Sequence, residues 1–230
     1  MFSRHLSFAF GFMRLIVLIC VLYSLLSLVP MLNLLSVNCR GGLNGSKLYE
    51  LFDYLTFSHC HIAFIQETHI YRQSSRNFIN RKFNCKTYHS LGTHNSLGVM
   101  IVVFNNFEHT FVKFDSDSIG RLVFVDLKIS DSVYRFCNFY LPNIVPDRKS
   151  LIDELPEFIH TKNPMIIAGD FNFVENLHLD KRGGSKHFGN GGVANFNKVK
   201  SLFDLDDPFR VQNPTGVSFT ITKGEVSNRQ

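Results

Sequence analysis

The chain has 230 residues, of which 45% are hydrophobic and 19% are charged. This composition excludes a disordered chain and supplies the core of one large α/β domain. The 24 basic residues outnumber the 19 acidic residues, so the net charge is +5, which favours a polyanionic partner.

The cysteines do not follow a pattern typical of disulfide-rich or zinc-binding proteins. Their number is odd and no CxxC pair occurs, so we expect reduced or buried thiols. The five are Cys20, Cys39, Cys60, Cys85 and Cys137.

The first 31 residues are hydrophobic and stand apart from the rest of the chain. Residues 15–31 carry no charge, and Arg14 separates them from a second apolar run over residues 8–13. A membrane span needs about 20 apolar residues, so one interpretation is a transmembrane helix, with membrane association through residues 6–31. A second is a signal peptide, although no A-x-A-like cleavage site follows.

A third interpretation is that residues 1–31 are fortuitously translated sequence. The first predicted strand begins near Leu32 and leaves almost no linker after Pro30. A helix leaving a bilayer would therefore run straight into a central strand. A real anchor predicts a membrane location, whereas a fortuitous segment predicts a nuclear or cytoplasmic protein.

Hydrophobic periodicity predicts strands and a helix at the start of the remaining chain. Residues 32–37 and 62–65 are short apolar runs typical of buried strands. Between them, apolar residues recur at i, i+3, i+4 and i+7, which predicts a helix with one buried face and Ser46 at its N-cap. These residues are Leu48, Leu51, Phe52 and Leu55.

The middle of the chain predicts an antiparallel meander followed by a helix. Strand-like segments occupy residues 96–104, 110–114, 121–129 and 133–141, with short turns between them. A helix is expected over residues 147–160, capped by Asp147 and bent or ended near Pro156. Residues 165–168 predict a core strand, 183–192 a mobile glycine-rich loop, and 195–203 a short helix.

Polar side chains stand where four of the predicted strands end. Asn38 ends the first strand, Glu67 follows the second, and Tyr140 and Asn143 end the strand NFYLPN. Glu67 suits Mg²⁺, which prefers oxygen ligands and uses one or two carboxylates. Asn38 could orient that carboxylate or a metal-bound water, and the other two side chains are donors that could reach a phosphate.

The fourth strand end lies in the segment PMIIAGDFN. Asp170 and Asn172 are two positions apart, so in an extended segment their side chains project to the same side. Asp170 could position a water and take its proton, and Asn172 could donate to a non-bridging phosphate oxygen. An ordinary strand-end turn explains this stretch equally well when it is taken alone.

The motifs QETH and GDFN, in this order and spacing, resemble those of the endonuclease/exonuclease/phosphatase superfamily. Within it, the chain is most similar to the endonuclease domain of LINE-type (non-LTR) retrotransposons, from about Leu32 onward. The resemblance implies an α/β fold of two packed mixed β-sheets flanked by helices, a DNase-I-like four-layer sandwich. It also implies Mg²⁺ or Mn²⁺ as cofactor and DNA as partner.

The same resemblance implies catalytic roles for Asn38, Tyr140, Asp170 and Asn172 and a metal-binding role for Glu67. Family members often carry basic residues before two glycines. In this chain, Arg182 stands directly before two glycines. That element contacts a phosphate or is a solvated loop, and the sequence leaves both open. No protein partner follows from the sequence.

The chain also departs from its family. The family has a later strand-end Asp and an Asp-His pair whose His meets the phosphate, and neither occurs before Gln230. We therefore expect residues 32–230 to be a truncated domain with weak or absent activity. Two alternatives stay open: a secreted or membrane-linked phosphodiesterase, DNase-I-like or sphingomyelinase-like, and a non-catalytic degenerate fragment.

Overall fold

A computed structural model describes residues 14–16, 32–182, 191–217, 221–223 and 226–228 of the chain. The helices are α1 (Gly45–Phe57), α2 (Gln73–Lys82), α3 (Val145–Phe158), α4 (Val193–Phe203) and α5 (Pro208–Gln212). The strands are β1 (Arg14–Ile16), β2 (Leu34–Asn38), β3 (Ile62–Gln66), β4 (Cys85–Ser90), β5 (Val99–Phe104), β6 (Thr110–Ser116), β7 (Leu122–Ile129), β8 (Ser132–Tyr140), β9 (Met165–Asp170), β10 (Lys181–Arg182), β11 (Ile221–Lys223) and β12 (Val226–Asn228).

The strands form two large mixed sheets and one small sheet. The first large sheet has the order β1-β2-β3-β5-β4, and the second has the order β6-β7-β8-β9. Each large sheet has one parallel pair of strands, β2 with β3 and β8 with β9. Most of the predicted site residues lie at the ends of these four strands or just after them. The small sheet has the order β10-β12-β11.

Three apolar clusters separate four layers. In one cluster, Phe52 of α1 packs with Val37 of the first sheet. In the second, Phe64 of the first sheet packs with Phe136 of the other sheet. In the third, residues of α3 and α4 pack on the outer face of the second sheet, among them Leu155. The order is therefore helices, sheet, sheet, helices, and the predicted four-layer α/β sandwich is confirmed.

Helix α1 forms where the periodicity predicted it, but it starts differently. All four predicted apolar residues on one face are buried because that stripe faces the first sheet. The helix begins at Gly45, and Asn44 holds the extended backbone of an N-cap. The prediction of Ser46 as N-cap is wrong, since that residue already lies within the first turn.

The antiparallel meander is confirmed for β6-β7-β8, but the predicted segment 96–104 forms β5 of the other large sheet, where it pairs with β3 and β4. The helix after the meander begins earlier than predicted. Helix α3 starts at Val145 with Ile144 at the N-cap, so the assignment of Asp147 as cap is wrong. Pro146 occupies the first turn, where its missing N–H costs no hydrogen bond. Pro156 lies inside the helix, which ends two residues later at Phe158.

The N-terminal segment contributes a short strand. Residues Arg14–Ile16 form β1, and Arg14 pairs antiparallel with Asn38 of β2. In the part of the chain that the structure describes, no helix is long and apolar enough to cross a membrane. The rest of residues 1–31, and most of the predicted loop over residues 183–192, lie outside the described residues.

Four of the five cysteines are free and buried, as expected: Cys39, Cys60, Cys85 and Cys137. Burial raises the pKa of the Cys39 thiol to about 12, because a thiolate there would lose its hydration. These thiols therefore stay protonated and behave as small apolar side chains. Cys20 lies outside the described residues.

Candidate active site

The ends of β2, β3 and β9 meet at one edge of the sandwich. The side-chain nitrogen Nδ2 of Asn38 donates to Glu67 Oε1 at 2.8 Å and to Asp170 Oδ2 at 2.7 Å. Its oxygen Oδ1 accepts from the backbone N–H of Arg40 at 2.8 Å. Hydrogen bonds therefore hold both the nitrogen and the oxygen of this side-chain amide. One buried amide thus joins two carboxylates that come from different sheets.

Backbone hydrogen bonds to two neighbouring segments hold Glu67 in place. Its carbonyl accepts from Gly42 N–H at 3.2 Å, and the next residue, Thr68, donates its N–H to Gly98 at 3.0 Å. Glu67 has a φ of +54°, a left-handed conformation that is unusual for a residue other than Gly, Asn or Asp. Such strain persists where surrounding contacts enforce it and is concentrated at functional sites.

Asp170 and Asn172 form a tight turn at the end of β9. The N–H of Asn172 donates to Asp170 Oδ1 at 3.1 Å, and Asn172 Nδ2 donates to the Leu141 carbonyl at 2.6 Å. Asn172 also has a left-handed φ of +51°. Asp170 is only 1% exposed, and both of its oxygens accept hydrogen bonds. The turn interpretation and the site interpretation of GDFN are therefore compatible, because the turn fixes the carboxylate.

Gly169 is required for β9 to lie beside β8. A Cβ added at this position would stand 2.1 Å from the carbonyl oxygen of Phe139, and its φ is +148°. Only glycine permits both the close approach and that backbone conformation. The glycine of GDFN thus brings Asp170 into register with Tyr140 on the neighbouring strand.

Arg148, on the first turns of α3, organises the loops around the site. It is 3% exposed. Its Nη1 donates to the carbonyls of Pro142 at 3.0 Å and Asn172 at 2.7 Å, and its Nε donates to that of Gly191 at 2.7 Å. Burial lowers the pKa of the Arg148 guanidinium, while the charge of Asp170 opposes that shift. No local pattern in the sequence predicts a buried arginine at this position.

A row of polar side chains lies between the sheets beneath the site. Gln66 Nε2 donates to Ser36 Oγ at 3.2 Å and to Asn138 Oδ1 at 2.7 Å. Asn138 in turn donates to the carbonyls of Ile65 and Met100. Ser36 and Asn138 each precede a predicted site residue by two positions on a strand, so the period of two could have found them.

The other predicted site residues have different surroundings. Tyr140 ends β8, is half-buried, and pairs in register with Asp170. Asn143 has an exposed side chain, and its carbonyl accepts from Arg148 at 3.3 Å. Arg182 ends β10 and pairs with Ser227, but its side chain lies outside the described residues. The structure therefore brings Asn38, Glu67, Asp170 and Asn172 together, and their chemical roles stay predictions.

The donor set at this edge fits a hard divalent cation. Two carboxylates lie within hydrogen-bond distance of one amide nitrogen, and Mg²⁺ is usually bound by one or two carboxylates and several waters. No group of three or more His, Cys, Asp or Glu side chains suited to a metal occurs among the described residues. Among the described residues, the two carboxylates beside Asn38 are therefore the ones that could hold such a cation together with waters.

Comparison with known proteins shows which solved structures share the fold of this chain. No family model matches the chain. A 3'-5' exonuclease from Neisseria meningitidis superposes with a TM-score of 0.60 at 19% identity, over 75% of this chain and 72% of that one. An AP endonuclease from Archaeoglobus fulgidus gives 0.56 at 15% identity, over 81% and 84%. One from Leishmania major also gives 0.56 at 15%, over 77% and 68%.

The chain has the fold of the endonuclease/exonuclease/phosphatase superfamily. The chain is also similar in sequence to a curated protein: the Xenopus laevis "Transposon TX1 uncharacterized 149 kDa protein" is 25% identical over 202 residues. That match covers 85% of this chain and 15% of the relative, so the chain spans a small part of the relative's length. The predicted resemblance to a transposon-encoded protein is confirmed by this match, and the predicted fold by the solved structures.

Proposed function

We propose that the chain hydrolyses phosphodiester bonds of DNA with the help of Mg²⁺. The observation that carries this proposal is the Asn38 amide, which joins the Glu67 and Asp170 carboxylates at the edge of the sandwich. A structural role for Asn38 alone would not require two carboxylates beside it. Two anions held this close favour a bound cation, since each lowers the potential felt by the other.

Glu67, oriented by Asn38, would hold the cation. Mn²⁺ could replace Mg²⁺, because both are hard ions that accept carboxylate oxygens and waters. When bound, the cation would polarise a phosphoryl oxygen and stabilise the leaving alkoxide. The φ of +54° at Glu67 and the hydrogen bonds on both sides of its strand keep the carboxylate at this edge.

Asp170 is the proposed base. Donors to both of its oxygens fix the plane of the carboxylate, so it can orient a water and accept its proton. Asn172 and Tyr140 would donate to the non-bridging oxygens as negative charge develops on the phosphate. Asn143 and Arg182 are the proposed contacts to neighbouring phosphates.

DNA is the proposed substrate because the charge and the relatives point the same way. The chain has a net charge of +5, and two of the solved structures with this fold are called AP endonucleases. Binding through phosphates should weaken steeply as salt rises. We expect slow turnover, because no Asp-His pair of the family type occurs in these 230 residues and each acid–base or electrostatic contribution is worth about 10²–10⁴-fold.

A single-turnover nicking assay with excess protein tests the proposal. Supercoiled plasmid is incubated with the wild type, with Asp170→Asn, and with the exposed-site control Asn197→Ala, each in Mg²⁺ and in EDTA. We expect the wild type and the control to nick the plasmid slowly in Mg²⁺. This nicking should disappear in EDTA and in the Asp170→Asn variant. Nicking that is equal in the wild type and Asp170→Asn, or a wild type that nicks no more in Mg²⁺ than in EDTA, would contradict the proposal.

A further inference from the structure

A pocket of about 500 Å³ opens beside Glu67, on the outer side of the first sheet. Its wall includes Thr68 and His69, the two residues that follow Glu67, and also Tyr71, Phe78 and His94. Its volume lies in the range of small-ligand pockets, about 300–1,000 Å³. Thr68 and His69 belong to the QETH motif, but none of the catalytic, metal-binding or phosphate-contacting roles assigned above uses a residue that lines this pocket.

The pocket presents aromatic surface to the solvent. Tyr71 is 43% exposed and Phe78 is 45% exposed, although both line a concave site. The Arg72 guanidinium lies 5.0 Å from the centre of the Tyr71 ring, and His94 contacts that ring edge-on at 5.5 Å. Exposed rings that line a pocket, with a cation beside them, are typical of sites that stack flat π-systems.

The residues that line the pocket combine apolar surface with hydroxyl groups, which suits a flat ring with polar edges. Leu48 and Ile79 are buried apolar residues at its base, and Ser74 and Ser75 add hydroxyl groups. None of the described lining residues is acidic, so a ligand that carries phosphates would meet no repulsion from the wall. Apolar faces, polar edges and the absence of acids together match a nucleobase attached to a phosphate backbone.

Backbone hydrogen bonds tie the wall of the pocket to the segment that carries Glu67. Leu43 of its wall donates its N–H to Thr68 at 2.8 Å, and Gly42 donates to Glu67. A strand whose phosphate lies at Glu67 and Asp170 therefore has this pocket as its neighbour on the side of α1 and α2. We propose that the pocket binds an unpaired nucleobase of the substrate strand next to the cleaved phosphate, by stacking on Tyr71 and Phe78.

This inference rests on the proposed function and adds a subsite to it. A base inside a duplex is already stacked, so a pocket of this kind selects DNA that offers an unpaired nucleotide beside the cut. Stacking on an aromatic side chain is tolerant of base identity. The pocket would therefore favour a structural feature of DNA more than a particular sequence.

The test compares two single strands that have the same phosphates. One is oligothymidine, and the other is an oligomer of equal length made of abasic (tetrahydrofuran) nucleotides. Their affinities for the full chain are measured by fluorescence anisotropy in EDTA, so that cleavage does not interfere. The variants are Tyr71→Ala and Phe78→Ala. The controls are Tyr71→Phe, which keeps the ring, and Phe57→Ala, an exposed aromatic at the far end of α1.

We expect the wild type and both controls to prefer oligothymidine, and each alanine variant to lose about 5- to 150-fold in affinity for oligothymidine alone. Circular dichroism shows whether the variants remain folded. Equal affinity of the wild type for both oligomers would overturn the inference and leave the proposed function intact. The inference would also be overturned if the alanine variants lost the same affinity for both oligomers and their affinity depended less on salt concentration. Tyr71 would then act at a phosphate. A wild-type chain that binds neither oligomer at low salt would overturn both proposals.

Discussion

Asn38 and Asp170 lie 132 positions apart in the chain, yet the side-chain amide of Asn38 donates to the carboxylate of Asp170 at 2.7 Å. The two residues end strands of different sheets, β2 and β9. Their hydrogen bond therefore exists only when the two sheets are packed face to face. The candidate site is a product of the sandwich and not of any single motif.

The first prediction concerns the amide that joins the two carboxylates. In Asn38→Ala, Glu67 and Asp170 lose their shared donor while Asp170 remains buried. We expect the free energy of unfolding to fall by about 1–3 kcal/mol, the usual cost of leaving a buried acceptor unpaired. Urea denaturation measures it. The control is Asn197→Ala, at an exposed position of α4, and an equal free energy of unfolding for the two variants would show that Asn38 has no such role.

The second prediction concerns the glycine of GDFN. In Gly169→Ala the new methyl would stand 2.1 Å from the Phe139 carbonyl oxygen, whereas at Gly41 a methyl would meet no described atom within 4 Å. Both glycines have positive φ, +148° and +92°. Gly41→Ala should cost about 1–2 kcal/mol from the backbone conformation alone. Gly169→Ala should cost several times more or yield no folded protein.

Thermal unfolding followed by circular dichroism compares the two glycine variants. Since both substitutions add the same methyl group, the difference between them isolates the contact of β9 with β8. Similar melting temperatures for Gly169→Ala and Gly41→Ala would mean that β8 and β9 are farther apart at this point than the structure shows.

The third prediction concerns the acid sensitivity that His89 confers. Burial, and to a smaller extent the charge of Arg76, lowers the pKa of His89 to about 3, and both ring nitrogens lack hydrogen-bond partners among the described residues. The unfolded chain binds a proton near pH 6.5 and the folded chain does not. Stability from this group is therefore complete above pH 6.5 and is lost as the pH falls from there toward 3, by about 1.4 kcal/mol per pH unit.

Urea denaturation between pH 7 and pH 4 measures the slope. His89→Leu should remove this part of the pH dependence, because leucine does not titrate. The matched control is the same substitution at His178, whose side chain is exposed. A slope that is equal in wild type and His89→Leu would show that His89 takes up its proton in the folded state without cost.

The sequence predicts the strand ends well because short apolar runs followed by polar residues are local patterns. Glu67 after β3 and Asp170 at the end of β9 are examples. Strand β4 was missed because its buried face includes polar residues such as Thr87 and His89. Arg148 could not be predicted, since its carbonyl partners come from three separate segments of the chain and only the packing of α3 brings them together.

The cation site at Glu67, beside the Asp170 carboxylate, is the claim on which the proposed function depends most directly. Calorimetry with Mg²⁺ in the absence of DNA tests it on the wild type, Glu67→Gln, Asp170→Asn and the control Glu175→Gln. The Glu175 carboxylate accepts from Lys200 at 3.0 Å on an exposed surface. Even residues that only orient a ligand change metal affinity by about 10–100-fold.

We therefore expect the two site variants to bind Mg²⁺ at least about tenfold more weakly than the wild type, with unchanged circular dichroism, while Glu175→Gln binds as the wild type does. Equal Mg²⁺ affinity in the wild type, Glu67→Gln and Asp170→Asn would contradict the metal site. The carboxylates joined by Asn38 would then serve only to hold the two sheets together.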